Sequence, residues 1–101
     1  VAPNELWVGG KSVVDGGYWT TNEKGGLTES DSSNYNVYYD GDGNLWLNNA
    51  NIVGQGSGNA ATGIYAYYDN WVDTDIALTI HRKVVRGHDR RELPGHRYFN
   101  S

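Results

Sequence analysis

The chain has 101 residues, 38% of them hydrophobic, which is enough for one compact domain and too few for two. Cys and Met are absent, which excludes a disulfide framework, a thiol nucleophile, an iron–sulfur cluster and a Cys-type zinc site. The net charge of -4 hides a split: residues 1–80 set two lysines against ten carboxylates, whereas residues 81–101 set six Arg or Lys against Asp89 and Glu92.

Helix signals are nearly absent. Clusters of Gly, Asn, Asp and Ser punctuate short runs of Val, Ile, Tyr, Trp and Thr, the pattern of strands joined by turns. In chain order, strands are predicted at residues 5–8, 12–14, 18–21, 34–40, 44–48, 63–68, 75–81 and 83–86. Seven or eight short strands in about a hundred residues imply an all-β domain spanning the whole chain. The expected architecture is a jelly-roll-like β-sandwich of short antiparallel strands, with a short parallel β-helix fragment as the alternative.

In the first predicted strand, Trp7 alternates with Leu6 and Val8 and so can face outward. Trp19 has no strong phase, and for both, filling the core is the favoured role. The clearest unit covers residues 35–47. It reads as a hairpin with Asp42 at the apex and Gly43 in the left-handed position of a three-residue loop. That register pairs Tyr39 with Leu45, Tyr38 with Trp46, and Val37 with Leu47. Alternation then sends Val37, Leu45 and Leu47 to one face with Tyr39 beside them. Tyr38 and Trp46 fall on the other face, together with Asn36, Asn44 and Asn48.

The strand at 63–68 behaves alike, with Ile64 and Ala66 inward and Tyr65 and Tyr67 outward. At 75–81, Ile76, Leu78 and Ile80 point inward, Ala77 and Thr79 outward. If these strands share a sheet, Tyr38, Trp46, Tyr65 and Tyr67 form one exposed aromatic strip. Trp71 sits in an Asp/Asn loop, where its ring can overhang a groove edge, although for it too filling the core is the favoured role.

An aromatic strip flanked by Asn suits a sugar: rings pack on the C–H face of a pyranose, and amides bond its hydroxyl rim. Tyr38, Trp46, Tyr65, Tyr67 and Trp71 are therefore the expected stacking residues, with Asn36 and Asn48 as polar partners. The alternative is that these rings cover a packed sheet face. Asp40, Asp42 and Asn44 place oxygen ligands at alternate positions, and Asp69, Asp73 and Asp75 form a second oxygen-rich cluster. Either could hold a structural Ca²⁺, although the first lacks the Gly and Glu of an EF-hand. Turn residues bonding their own backbone fit both segments as well. No cofactor is required by any motif.

Catalytic signals are weak. Asp73 and Asp75 lie two apart on a turn without an evident cleft, the Gly54-Gln-Gly-Ser-Gly58 run has no helix behind it, and His81, His88 and His96 match no zinc spacing. The chain therefore reads as a non-enzyme. The basic end could bind phosphate or an acidic polysaccharide, but a solvated edge strand and tail is the favoured reading. No apolar run nears the roughly 20 residues of a membrane span, and no basic and then apolar leader opens the sequence.

The stretches Leu6-Trp-Val-Gly-Gly10, Val37-Tyr-Tyr-Asp-Gly-Asp-Gly-Asn-Leu-Trp-Leu-Asn-Asn-Ala-Asn-Ile52, Gly63-Ile-Tyr-Ala66 and Ile76-Ala-Leu-Thr-Ile80 resemble bacterial extracellular carbohydrate-binding domains. The Leu-x-Leu-Asn-Asn-Ala-x-Ile element is the most specific part, and the resemblance ends at Ile80. Some members form long right-handed parallel β-helices; compact ones of this size are sandwiches. The resemblance implies a secreted bacterial, non-catalytic module that binds plant cell-wall β-glucans such as cellulose-type chains, xyloglucan and mixed-linkage glucan. Such a module accompanies a glycoside hydrolase and engages neither nucleic acid nor membrane.

Overall fold

A computed structural model describes residues 2–68, 78–82, 85–87, 90–93 and 97–100, the last three segments through their backbone alone. The strands are β1 (Glu5–Val8), β2 (Lys11–Ser12), β3 (Gly17–Thr21), β4 (Leu27–Glu29), β5 (Val37–Tyr39) and β6 (Asn44–Leu47). They continue as β7 (Ala50–Ile52), β8 (Ile64–Tyr67), β9 (Thr79–Arg82), β10 (Val85–Gly87), β11 (Arg90–Leu93) and β12 (Arg97–Asn100). Among the described residues the helical content is one 3-10 turn, Gly58–Ala61, so the protein is all-β.

Two five-stranded sheets, ordered β4-β3-β5-β6-β9 and β12-β11-β8-β1-β2, are joined by a two-stranded sheet of β7 and β10. The pairings among β1 to β6 and β8 are antiparallel. Three pairings are parallel and follow one order: β6 with β9, β7 with β10, β8 with β11.

The β5–β6 hairpin forms in the register that alternation predicts, Val37 opposite Leu47, Tyr38 opposite Trp46 and Tyr39 opposite Leu45. Its loop is organised by one side chain. The Asp40 carboxylate accepts hydrogen bonds from the backbone N–H groups of Asp42 (2.7 Å) and Asn44 (3.1 Å) and from the Asn44 amide (2.8 Å). Gly43 takes a φ of 91°, the left-handed conformation that a Cβ would penalise. From below, the buried Tyr39 hydroxyl accepts the Gly43 N–H at 3.0 Å.

Alternate residues of β1, β5, β6, β7 and β8 converge on one core, in which Val37, Leu45, Ile52 and Ile64 are completely buried. Trp19 joins them, as its core reading requires, while Leu78 and Ile80 pack against the margin. Between β6 and β7 the chain turns sharply at Asn49, whose φ is 53°. Asn is among the few residues with a Cβ that visit this region readily. Four strands were not anticipated: β4, β7, β11 and β12.

Candidate functional site

The registers set Tyr18 opposite Tyr38, Tyr38 opposite Trp46, and Trp46 opposite His81. One ring from each of four neighbouring strands therefore stands in line across the outer face of the β4-β3-β5-β6-β9 sheet. Successive ring centroids are 4.5, 4.9 and 4.7 Å apart, with interplanar angles of 11°, 21° and 13°. Strands in a sheet lie about 4.8 Å apart, so the backbone spacing itself produces ring stacking. Each stacked pair contributes about 0.5–1.5 kcal/mol beyond its area burial. Tyr35 closes one side of the row, tilted 59° against Tyr18 and 62° against Tyr38. Desolvation in the stack, then the neighbouring Tyr18 phenol, hold the Tyr38 phenol above its ordinary value, so its hydroxyl stays protonated near neutral pH.

This geometry turns the ring faces toward one another and their edges toward solvent. A sugar cannot lie flat on the row itself. Beside it runs a groove of about 290 Å³ lined by Tyr35, Trp46, Leu47, Asn48, His81 and Arg82. Tyr35 and Trp46 supply apolar walls, and the exposed Asn48 and Arg82 supply polar groups. His81 is held between its stack on Trp46 and the Asn44 amide oxygen, 3.4 Å from its Nε2.

Of the predicted sugar contacts, Trp46 and Asn48 line this groove, and Tyr38 stands in the ring row beside it. Asn36 is adjacent but committed to the fold: its side-chain oxygen accepts the Thr21 N–H and its amide donates to the Asn48 carbonyl, both at 3.0 Å. Tyr65 and Tyr67 do not join the row. They lie on β8, which pairs with β1 in the other large sheet and sets Tyr65 opposite Trp7. The single strip of four aromatics required one shared sheet, and the corner at Asn49 carries the chain out of it. Trp71, like Asp69, Asp73 and Asp75, lies outside the described residues, as do Ile76, Ala77, His88 and His96.

At the other oxygen-rich segment, both Asp40 carboxylate oxygens accept hydrogen bonds within the turn. Burial works to raise this carboxyl, but the donors from Asp42 and Asn44 outweigh it and leave it below the usual range. Among the described residues no group of three or more His, Cys, Asp or Glu is placed to hold a metal ion. No helix there is long and apolar enough to cross a membrane.

Tyr18, Tyr35, His81 and Arg82 escaped the sequence reading. Extending alternation one residue past Ile80 turns His81 outward, but nothing in that pattern says that β9 lies beside β6. Alternation back from Val37 sends Tyr35 inward; the bend at Asn36 reverses it. Neither a family model, nor a curated protein, nor a solved structure matches this chain.

Proposed function

We propose that the protein is a non-catalytic carbohydrate-binding domain that seats a glycan in the groove beside the ring row. The observation that carries this reading is the pairing of aromatic walls, Tyr35 and Trp46, with a polar rim at Asn48 and Arg82. Sugars combine an apolar C–H face with hydroxyl edges and need both. The groove falls near the lower end of the roughly 300–1,000 Å³ of small-ligand sites. It suits a segment of a polymer better than an enclosed substrate, and among the described residues no carboxylate pair lines it for acid–base work. The resemblance to bacterial extracellular carbohydrate-binding domains points to plant cell-wall β-glucans and to a module that tethers a glycoside hydrolase to its substrate outside the cell. The test is affinity electrophoresis and calorimetry with xyloglucan, mixed-linkage β-glucan and mannan. Tyr35→Ala is expected to weaken binding about tenfold, the loss of one aromatic contact. Failure of the folded wild type to bind any of the three would overturn the proposal.

The parallel pairings favour a second reading, which concerns the scaffold. Strands β6, β7 and β8 make one coil and β9, β10 and β11 the next, in the manner of a parallel β-helix from a surface adhesin or structural protein. Trp46 on His81 is then a stack between coils. This supports the β-helix alternative over the jelly-roll-like sandwich. It predicts concentration-dependent end-to-end association, measurable by light scattering.

A further inference from the structure

We infer that Tyr18 and Tyr38 form an oxidative cross-linking site, at which a one-electron oxidant joins the two rings as dityrosine. The oxidant belongs to the class that a haem peroxidase generates from hydrogen peroxide. The two residues stand opposite each other on β3 and β5. Their ring centroids are 4.5 Å apart and their planes only 11° from parallel. Desolvation, then the charge and the hydroxyl of Tyr18, raise the Tyr38 phenol, which sets the two hydroxyl ends side by side. The ortho carbons flank those hydroxyls, so they too lie across from one another. Both residues are half-buried, with ring edges at solvent and within reach of an oxidant.

A phenoxyl radical carries much of its unpaired spin at the ortho carbons, in orbitals perpendicular to the ring. A stacked pair aims these orbitals at each other, whereas Tyr35, tilted 59° against Tyr18 and 62° against Tyr38, does not. Each phenol gives one electron to the oxidant and its phenolic proton to water, and the two ortho carbons bond. Each bonded carbon then loses its hydrogen as a proton while each oxygen regains one, which restores both aromatic rings. Two electrons and two protons leave in all, and one hydrogen peroxide becomes two waters. The bridge ties β3 to β5 and constrains the unfolded chain between residues 18 and 38, as a disulfide would. The sequence has no cysteine with which to make one.

The experiment treats the full chain, dilute enough to suppress coupling between molecules, with a haem peroxidase and hydrogen peroxide. The expected product is a monomer lighter by two hydrogens that shows dityrosine fluorescence, with peptide mapping placing the bridge between Tyr18 and Tyr38. Tyr18→Phe and Tyr38→Phe keep the stacked rings but remove a phenol, and each should reduce the bridged monomer to background. Tyr67→Phe, in the other large sheet, should leave its yield unchanged. Thermal melts before oxidation confirm that the variants fold. An unbridged chain, cross-links formed only between molecules, a bridge that maps to other tyrosines, or oxygen added at Trp46 in place of a bridge would overturn the inference.

Discussion

Trp46 stands between the rings of Tyr38 and His81, so one half-buried side chain fastens three strands. Trp46→Ala is expected to lower stability by about 1–3 kcal/mol in urea unfolding, from two lost stacks and exposed apolar area. A Tyr38 and Trp46 double-mutant cycle should return a coupling of about 0.5–1.5 kcal/mol. Tyr68 poses a different problem: its hydroxyl is buried without a partner among the described residues. Burial, then the nearby Tyr39 phenol, push its pKa far up. The folded state therefore keeps a proton that the unfolded chain releases near pH 10, and stability is lost as pH rises above about 10. Tyr68→Phe should match or exceed wild-type stability at neutral pH and flatten that alkaline fall, as followed by urea titration at several pH values. Asp40 has the opposite sign. Its depressed folded pKa gives stability that is complete above about pH 4 and disappears as pH falls further, so Asp40→Asn should blunt acid unfolding. Since both its oxygens are taken up inside the turn, any shift of the melting temperature on adding calcium or a chelator is expected to be the same in Asp40→Asn as in wild type. That loop was legible because every interaction in it is local: Asp, Gly and Asn at fixed offsets suffice. Asn36 was not, because its amide bridges β3 and the turn after β6, a contact that alternation cannot encode.

The turns that move the chain between sheets are as specific as the strands. Asn49 holds a left-handed φ of 53°, so Asn49→Val should cost about 1–2 kcal/mol while Asn49→Gly stays close to wild type, by thermal or urea unfolding. Gly54 is constrained by space. A Cβ there would lie 2.0 Å from the Ala61 carbonyl oxygen, where the Gln55 N–H already meets the Ala60 carbonyl at 2.6 Å. Gly54 thus serves close backbone packing against the 3-10 turn, whereas Gly56 and Gly58 face open space and hold positive φ values. The antiparallel hairpin could be read from sequence because its strands are joined by a short loop that fixes register. The parallel strands could not, since alternation gives the face of a residue but never names the strand beside it. Strands β4 and β7, three residues each, are too short to show any period.

Across the whole molecule, charge divides along the chain as sharply as pairing does. Residues 1–80 carry a net -8 and residues 81–101 a net +4. If the coils stack end to end, contacts that match unlike ends are favoured, and association should weaken as ionic strength rises from about 0.01 to 1 M, where the screening length falls from about 30 to 3 Å. Light scattering across that range measures it. Strand β6 carries one more consequence, because it meets β5 antiparallel on one edge and β9 parallel on the other. Its first edge closes within a hairpin, an event of microseconds; its second must wait for a long intervening segment, whose closure is entropically costly. Assembly is thus ordered in time. The hairpin comes first and templates the strands added later, so a chain emerging from its N-terminal end can build structure behind it without waiting for its last residues.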